Sequence, residues 1–175
     1  MAKIIYKEGL EGQNRLESIE GIEIELLNGD KALVYPKYAK RALIRSEEIS
    51  KWNAPQMKEI EALKLRSAKL KTYNLISINS PAAIWVGQFS SFKFDSQFSL
   101  PTLSAAMEIQ DQAKDIDALA ETIEGAYLLQ DFGCNIWSCS RSGEYYGYVV
   151  NGLCGFVNNS DVYNSNLSIP VILYR

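Results

Sequence analysis

The sequence predicts an α+β fold in which helices pack on a small, twisted and mainly antiparallel sheet, preceded by an N-terminal β-hairpin and helix. Three observations predict this class. Strand-like runs flank a turn at 28–30, apolar residues recur at helical spacing over 103–123, and short alternating segments fill 135–174. The chain of 175 residues is long enough for one substantial core. We expect a hairpin-and-helix segment (1–75) packed on a C-terminal domain (76–175).

The N-terminal half contains one clear hairpin signal. Residues 3–9 (KIIYKEG) predict a short strand. Within 22–38, two β-rich runs flank Asn28-Gly29, and this dipeptide favours the positive φ angles of a tight hairpin turn. Pro36 then ends the second strand or marks it as an edge strand. A helix follows over 53–70, where Asn-Ala-Pro-Gln at its start fits a cap with proline in the first turn.

The middle of the chain predicts one strand and one long helical region. The apolar run 82–89 (AAIWVGQF) favours a buried strand, and 90–99 is either a strand or an irregular loop. Thr102 can cap a helix that continues towards Gly125, a suitable C-cap, with a restart at Asp115 as an alternative that gives two shorter helices. Six acidic residues lie on the face opposite the apolar one, and this spacing is far more typical of a solvated face than of a metal site: Glu108, Asp111, Asp115, Asp117, Glu121 and Glu124.

The last part of the chain predicts a run of short strands. We expect strands at 135–140, 144–150 and 154–158, a polar loop at 158–166, and a closing strand at 168–174, all in one meandering sheet. In the first of these strands, Trp137 and Cys139 share one face. Trp137 is therefore expected to anchor the core.

Histidine is absent from the chain. This excludes Ser-His-Asp and Cys-His catalysis, and it removes the usual general base near neutral pH. The three cysteines, Cys134, Cys139 and Cys154, lack metal-binding spacing, and a cysteine nucleophile would need a base to form its thiolate. Cys139 and Cys154 fall in predicted strands, where we expect them to be small buried side chains. We expect no enzymatic activity, no cofactor and no bound metal.

The charge distribution differs between the two halves. Residues 1–75 carry 14 Lys and Arg against 11 Asp and Glu, whereas residues 76–175 carry 4 against 10. Because phosphate contacts need clustered cations, we expect no nucleic-acid binding, and the basic run 37–45 favours a solvated or partner-facing edge. We see no apolar stretch typical of a signal peptide or a membrane span, so the expected location at synthesis is the cytoplasm. Association with a virion or a cell surface is the alternative.

Four motifs in the C-terminal half occur in a distinctive order. They are Leu100-Pro101-Thr102, Trp137-Ser138-Cys139, Tyr146-Gly147-Tyr148-Val149 and Ile169-Pro170-Val171. This order resembles that of C-type-lectin-like modules of bacterial and phage proteins, over residues 99–175. Such modules are related in fold to the formylglycine-generating enzyme and to the variable proteins of diversity-generating retroelements.

The resemblance implies a fold and a ligand-facing side. In these modules Leu-Pro-Thr opens a helix, Trp-Ser-Ser starts the central sheet, and Arg-Pro-Val lies in the closing strand, often beside an early strand. Residues 3–9 are the candidate for that early strand. This chain departs from the pattern at Cys139, where a second serine is usual, and at Ile169, where arginine is usual. The calcium-binding triplets of sugar-binding lectins are absent, although Asp161 and the neighbouring asparagines carry oxygen atoms of the kind that calcium prefers.

Tyrosine and asparagine side chains after the central strand are the candidate ligand-binding residues. Tyrosine offers rigid contact area at low entropic cost, and amides offer both donors and acceptors, whereas the alternative is a solvated turn with cross-strand tyrosine packing. The candidates are Arg141, Glu144, Tyr145, Tyr146, Asn158, Asn159, Asp161, Tyr163, Asn164 and Asn166.

Two functions are therefore open. The first is a non-enzymatic recognition module of lectin-like fold that binds a protein or a glycan. The alternative is a phage- or prophage-related structural or assembly protein that uses the lectin-like domain as a scaffold. In that case the basic N-terminal half docks a partner, and a homo-oligomer is one such arrangement.

Overall fold

The computed structural model of the protein describes residues 1–43, 80–141 and 146–175, with only the backbone of Arg141. These residues form α-helices together with antiparallel and mixed sheets, so the α+β prediction is confirmed. The helix predicted over 53–70 lies outside them. The strands are β1 (Lys3–Tyr6), β2 (Ile19–Glu25), β3 (Lys31–Val34), β4 (Ala39–Arg41), β5 (Ser90–Ser91), β6 (Ser96–Gln97), β7 (Ile136–Arg141), β8 (Tyr146–Val150), β9 (Val157–Asp161), β10 (Asn166–Ser168) and β11 (Val171–Tyr174). The helices are α1 (Pro81–Val86), α2 (Leu103–Asp111) and α3 (Ala113–Ala120), with 3-10 turns at Leu16–Ser18 and Leu129–Asp131.

Strands β2 and β3 form the predicted hairpin, with Ile22 opposite Val34 in antiparallel register. The N–H of Gly29 donates to the carbonyl oxygen of Leu26 at 2.9 Å. Gly29 alone in this turn has a positive φ, +83°, while Asn28 keeps a negative one. The hairpin prediction is confirmed, and the left-handed conformation belongs to the glycine, which has no Cβ to oppose it.

The first sheet has the strand order β1-β2-β3-β11, and all its pairs are antiparallel. The early strand that pairs with the closing strand β11 is therefore β3. The prediction that residues 3–9 would pair with the closing strand is wrong. Because β1 already pairs with one edge of β2, the edge left for β11 is that of β3. The prediction that the closing strand joins the C-terminal meander is also wrong, since β11 belongs to this first sheet.

The second sheet has the order β4-β10-β7-β8-β9, and its β7-β8-β9 part is the predicted antiparallel meander. Strand β9 begins at Val157, later than the predicted 154–158, so the first part of the expected polar loop is a strand. Strand β10 pairs in parallel with β7 and antiparallel with β4. The N-terminal part of the chain thus contributes strands to both large sheets.

Helix α1 replaces the strand predicted at 82–89. The Oγ of Ser80 accepts the N–H of Ala83 at 3.2 Å, and Pro81 stands in the first turn. A short apolar run is compatible with either a buried strand or a buried helix, and this cap with its proline favours the helix. The following 90–99 segment contains the small β5-β6 hairpin, one of the two options expected.

Helices α2 and α3 occupy the predicted helical region. The Oγ1 of Thr102 accepts the N–H of Ala105 at 3.2 Å, which confirms the predicted cap. The break falls at Gln112 and not at Asp115, and α3 ends at Ala120, so Gly125 is not its C-cap. No helix in the described part of the chain has both the length and the apolar character needed to cross a bilayer.

The core lies on both sides of the second sheet. Ile136 and Val150 belong to a large cluster that includes residues of α2, α3 and the first sheet. Their neighbours Trp137 and Val149 belong to a second cluster, which includes residues of α1. This follows from the alternation of side chains along each strand. Trp137 is fully buried and its Nε1 donates to the carbonyl oxygen of Arg41 at 2.7 Å, so the prediction that it anchors the core is confirmed.

Candidate functional site

The pairing of β8 with β9 brings predicted site residues together at the sheet surface. Tyr146 stands opposite Asp161, and Tyr148 stands opposite Asn159. Residues directly opposite in an antiparallel pair have their Cβ atoms about 5 Å apart and point to the same face. Tyr146 is 45% exposed, and Tyr163, just beyond the end of β9, is 47% exposed. We call Tyr146, Asp161 and Tyr163 the tyrosine patch.

Within the tyrosine patch, Asp161 acts electrostatically on Tyr163. The negative charge of Asp161 and a hydrogen bond between the Asp161 and Tyr163 side chains raise the pKa of the Tyr163 hydroxyl, and Tyr146 adds to this shift. In this hydrogen bond the Tyr163 hydroxyl is the donor and the Asp161 carboxylate is the acceptor. A carboxyl group next to two half-exposed tyrosines suits hydroxyl, amide or apolar contacts of a ligand.

The turn that carries Tyr163 is fixed by the asparagines that follow it. The N–H of Asn164 donates to the carbonyl oxygen of Asp161 at 2.9 Å. The side-chain amides of Asn164 and Asn166 both donate to the Oγ of Ser160, at 3.2 and 3.0 Å. Asn166 is only 7% exposed, so it supports the patch from within the sheet instead of facing a ligand.

The other predicted site residues occupy separate positions. Asn158 and Asn159 are exposed on β9, the edge strand, and alternate between its two faces. The Oδ1 of Asn158 accepts the N–H of Asn159 at 2.8 Å. The backbone of Arg141 pairs with Gly147 at the end of β7. Glu144 and Tyr145 lie outside the described residues.

The cysteines differ in their surroundings. Cys139 is buried in the second core cluster, as expected. Cys154 is exposed in the turn between β8 and β9, so the prediction of a buried strand position is wrong, because that strand begins only at Val157. Cys134 is half-buried, and burial raises the pKa of its thiol. A raised pKa disfavours the reactive thiolate.

A cleft of 320 Å³ lies between α3 and the segment that follows it, and it includes Asp117 and Cys134. Asp117 belongs to the acidic face expected to be solvated, but it is buried. Its Oδ1 accepts the N–H of Leu129 at 2.7 Å, and its Oδ2 accepts the N–H of Gln130 at 3.0 Å. Asp117 therefore caps the 3-10 turn at Leu129–Asp131. This role depends on tertiary contacts, so the helical spacing of the acidic residues does not predict it.

Two features, one exposed and one buried, were not predicted from the sequence. Leu153 and Phe156, in the turn before β9, are 81% and 74% exposed, although the sequence places residues from 154 in a strand. Glu20, within β2, is only 3% exposed and borders a pocket with the exposed Phe92. The apolar residues next to the Asn151-Gly152 pair are a sequence signal for the exposed turn. The sequence contains no signal for the burial of Glu20, which depends on how the strands pair.

In comparisons with known proteins, no family model matches the chain, and neither a curated protein nor a solved structure matches it. The C-type-lectin-like resemblance of residues 99–175 therefore stays a prediction.

Proposed function

We propose that this protein is a non-enzymatic recognition module of C-type-lectin-like fold that binds a protein or a glycan through the tyrosine patch. The observation that carries the proposal is the placement of two half-exposed tyrosines around Asp161: Tyr146 stands opposite it across the β8-β9 pair, and Tyr163 lies just beyond the end of the same strand. Exposed aromatic rings held on a rigid scaffold contact a ligand with little loss of conformational entropy.

The order of the elements supports the lectin-like fold. The helical region opens at Thr102, the β7-β8-β9 meander follows, and the final strand pairs with an early one. These features agree with what the resemblance implies, although the early strand is β3.

The absence of enzymatic activity is supported by the chemistry of the chain. It has no histidine, and the thiol of Cys134 has a raised pKa. Both facts disfavour nucleophilic catalysis near neutral pH. Recognition needs only the acceptor and aromatic groups that the patch already presents.

Glycan and protein arrays followed by substitution test the proposal. For a ligand found on the arrays, the double variant Tyr146→Ala, Tyr163→Ala is expected to bind at least about tenfold more weakly, because tyrosines that become buried on binding are frequent interaction hot spots. Tyr127→Ala is the matched control, since Tyr127 is 42% exposed but lies outside the patch. Equal affinity of the double variant and the unmodified protein would show that the ligand does not bind here.

A second candidate function, assembly with a protein partner, is favoured by the apolar turn before β9. Leu153 and Phe156 are mostly exposed, and Val157 beside them is 41% exposed. Contiguous exposed apolar residues are typical of protein contacts. If assembly is the function, Leu153→Ser with Phe156→Ser should reduce the sedimentation coefficient of an oligomer, while the tyrosine-patch variant should not. A monomer at all concentrations in both variants and in the unmodified protein argues against self-assembly.

A further inference from the structure

A second pocket lies away from the residues of the tyrosine patch. It has a volume of 590 Å³ and is formed by the end of β1, the loop that follows it, β2 and the loop that precedes β6. This volume is within the usual range for small-molecule sites. Tyr6, Leu10 and Phe92 supply apolar walls, and Glu20 supplies a buried carboxylate.

A β-bulge places Glu20 in this pocket. Ile5 pairs with Gly21 and Tyr6 pairs with Ile19, so Glu20 is the extra residue of β2 and has no partner on β1. A bulge reorients the side chain of its extra residue and is frequent beside functional sites. Gly21 permits the local geometry: a Cβ at this position would lie 2.8 Å from the carbonyl oxygen of Val34.

The carboxylate of Glu20 is only partly satisfied. Its Oε1 accepts the N–H of Lys93 at 3.3 Å. Its Oε2 is buried, and no donor in residues 1–43, 80–141 or 146–175 reaches it. The other buried acid of β2, Glu23, differs, because Lys3 and Lys31 lie 3.1 and 3.6 Å from its Oε1. A buried carboxylate with an unused acceptor is costly unless a donor or a positive charge completes it.

The lysines of the pocket are directed elsewhere. The Nζ of Lys7 donates to the carbonyl oxygen of Glu17 at 2.6 Å. The Nζ of Lys93 lies over the ring of Phe94, 5.6 Å from its centre. Among the residues that the structure describes, three acids, Glu8, Glu11 and Glu20, border the pocket against these two lysines. The pocket is therefore suited to a ligand that carries a positive charge and donates hydrogen bonds to the Glu20 carboxylate.

We propose that this pocket binds a small organic cation, a primary amine or a guanidinium, whose N–H groups donate to the carboxylate of Glu20 while its alkyl part packs on Tyr6 and Phe92. A cation compensates the buried negative charge, and a neutral hydroxyl supplies only the hydrogen bond. The aromatic walls add cation–π attraction, and Phe92, which is 81% exposed, gains burial when the pocket fills. This site is independent of the proposed recognition of a protein or a glycan.

The proposal is tested by titrating the full chain with agmatine and monitoring binding by NMR. Methyl glucoside is the neutral probe. Glu20→Gln keeps the shape and the acceptor for Lys93 but removes the charge, so agmatine should bind about tenfold or more weakly. Glu25→Gln is the matched control, since it makes the same change at an exposed position of the same strand and should leave agmatine affinity unchanged.

Phe92→Ala is the second variant, chosen because an exposed ring can be removed without loss of folding. It should weaken agmatine binding several-fold. The proposal is overturned if agmatine binds Glu20→Gln or Phe92→Ala as tightly as the unmodified protein. It is equally overturned if Glu25→Gln loses as much affinity, or if methyl glucoside binds more tightly than agmatine.

Discussion

The close approach of Gly147 to Trp137 allows the packing of the second core cluster to be tested. A Cβ added at Gly147 would lie 2.8 Å from Cζ3 of Trp137 and 2.7 Å from Cδ1 of Leu43. Ordinary carbon contacts are about 3.5–4.0 Å, so alanine overlaps both side chains. Both are fully buried and have little room to move.

The expected cost of Gly147→Ala combines two opposing effects. Overpacking a filled core costs about 1–3 kcal/mol. Replacement of glycine also lowers the entropy of the unfolded chain, which stabilises the fold by about 0.4–1 kcal/mol. We expect a net loss of about 1–2 kcal/mol in the free energy of unfolding, measured by urea denaturation followed by circular dichroism.

A double-mutant cycle assigns the loss to Trp137. Phenylalanine lacks the outer indole ring that contains Cζ3, so Gly147→Ala should cost about 1 kcal/mol less in a Trp137→Phe background. If Gly147→Ala is neutral in the unmodified protein, or costs the same in both backgrounds, the indole does not cover the glycine and the description of the second core cluster is wrong.

Two further predictions concern a helix cap and a buried acid. Thr102→Ala removes the acceptor for the Ala105 N–H and should lower the free energy of unfolding by about 0.5–2 kcal/mol in urea denaturation, and an unchanged midpoint would contradict the cap. Burial raises the pKa of Glu23, but its hydrogen bond with Tyr174 and the nearby lysines outweigh burial and hold that pKa below its ordinary value of 4.5. Because the folded-state pKa is lowered, Glu23 stabilises the fold above pH 4.5 and loses this contribution as the pH falls through its folded-state value. Denaturation midpoints between neutral and acidic pH should therefore fall less in Glu23→Gln than in Glu25→Gln, and equal pH profiles would contradict this account.

Local sequence signals were sufficient to predict the structure wherever residues close in the chain determine it. The turn at Gly29, the cap at Thr102 and the β7-β8-β9 meander are encoded within a few residues, and all three are confirmed. The burial of Trp137 follows from alternation along its strand. Within the candidate site, the closeness of Tyr146 to the 161–163 segment follows once two neighbouring strands are paired.

The remaining features could not be predicted from local sequence signals. The apolar run 82–89 is compatible with a strand or a helix, and its cap at Ser80 favours the helix. The partner of β11 depends on which strand edge remains open after β1 has paired with β2. Likewise, Glu20 is directed into its pocket only because β1 and β2 are out of register by one residue. These features depend on contacts between segments far apart in the chain, which periodicity and spacing do not specify.

The most direct test of the tyrosine patch is an amide NMR map of the full chain with an array-identified ligand. We expect ligand-induced shift changes to centre on Tyr146, Asp161 and Tyr163, and the exposed turn at Leu27 to be unchanged. Changes centred on Leu153 and Phe156, with the three patch residues unperturbed, would contradict it.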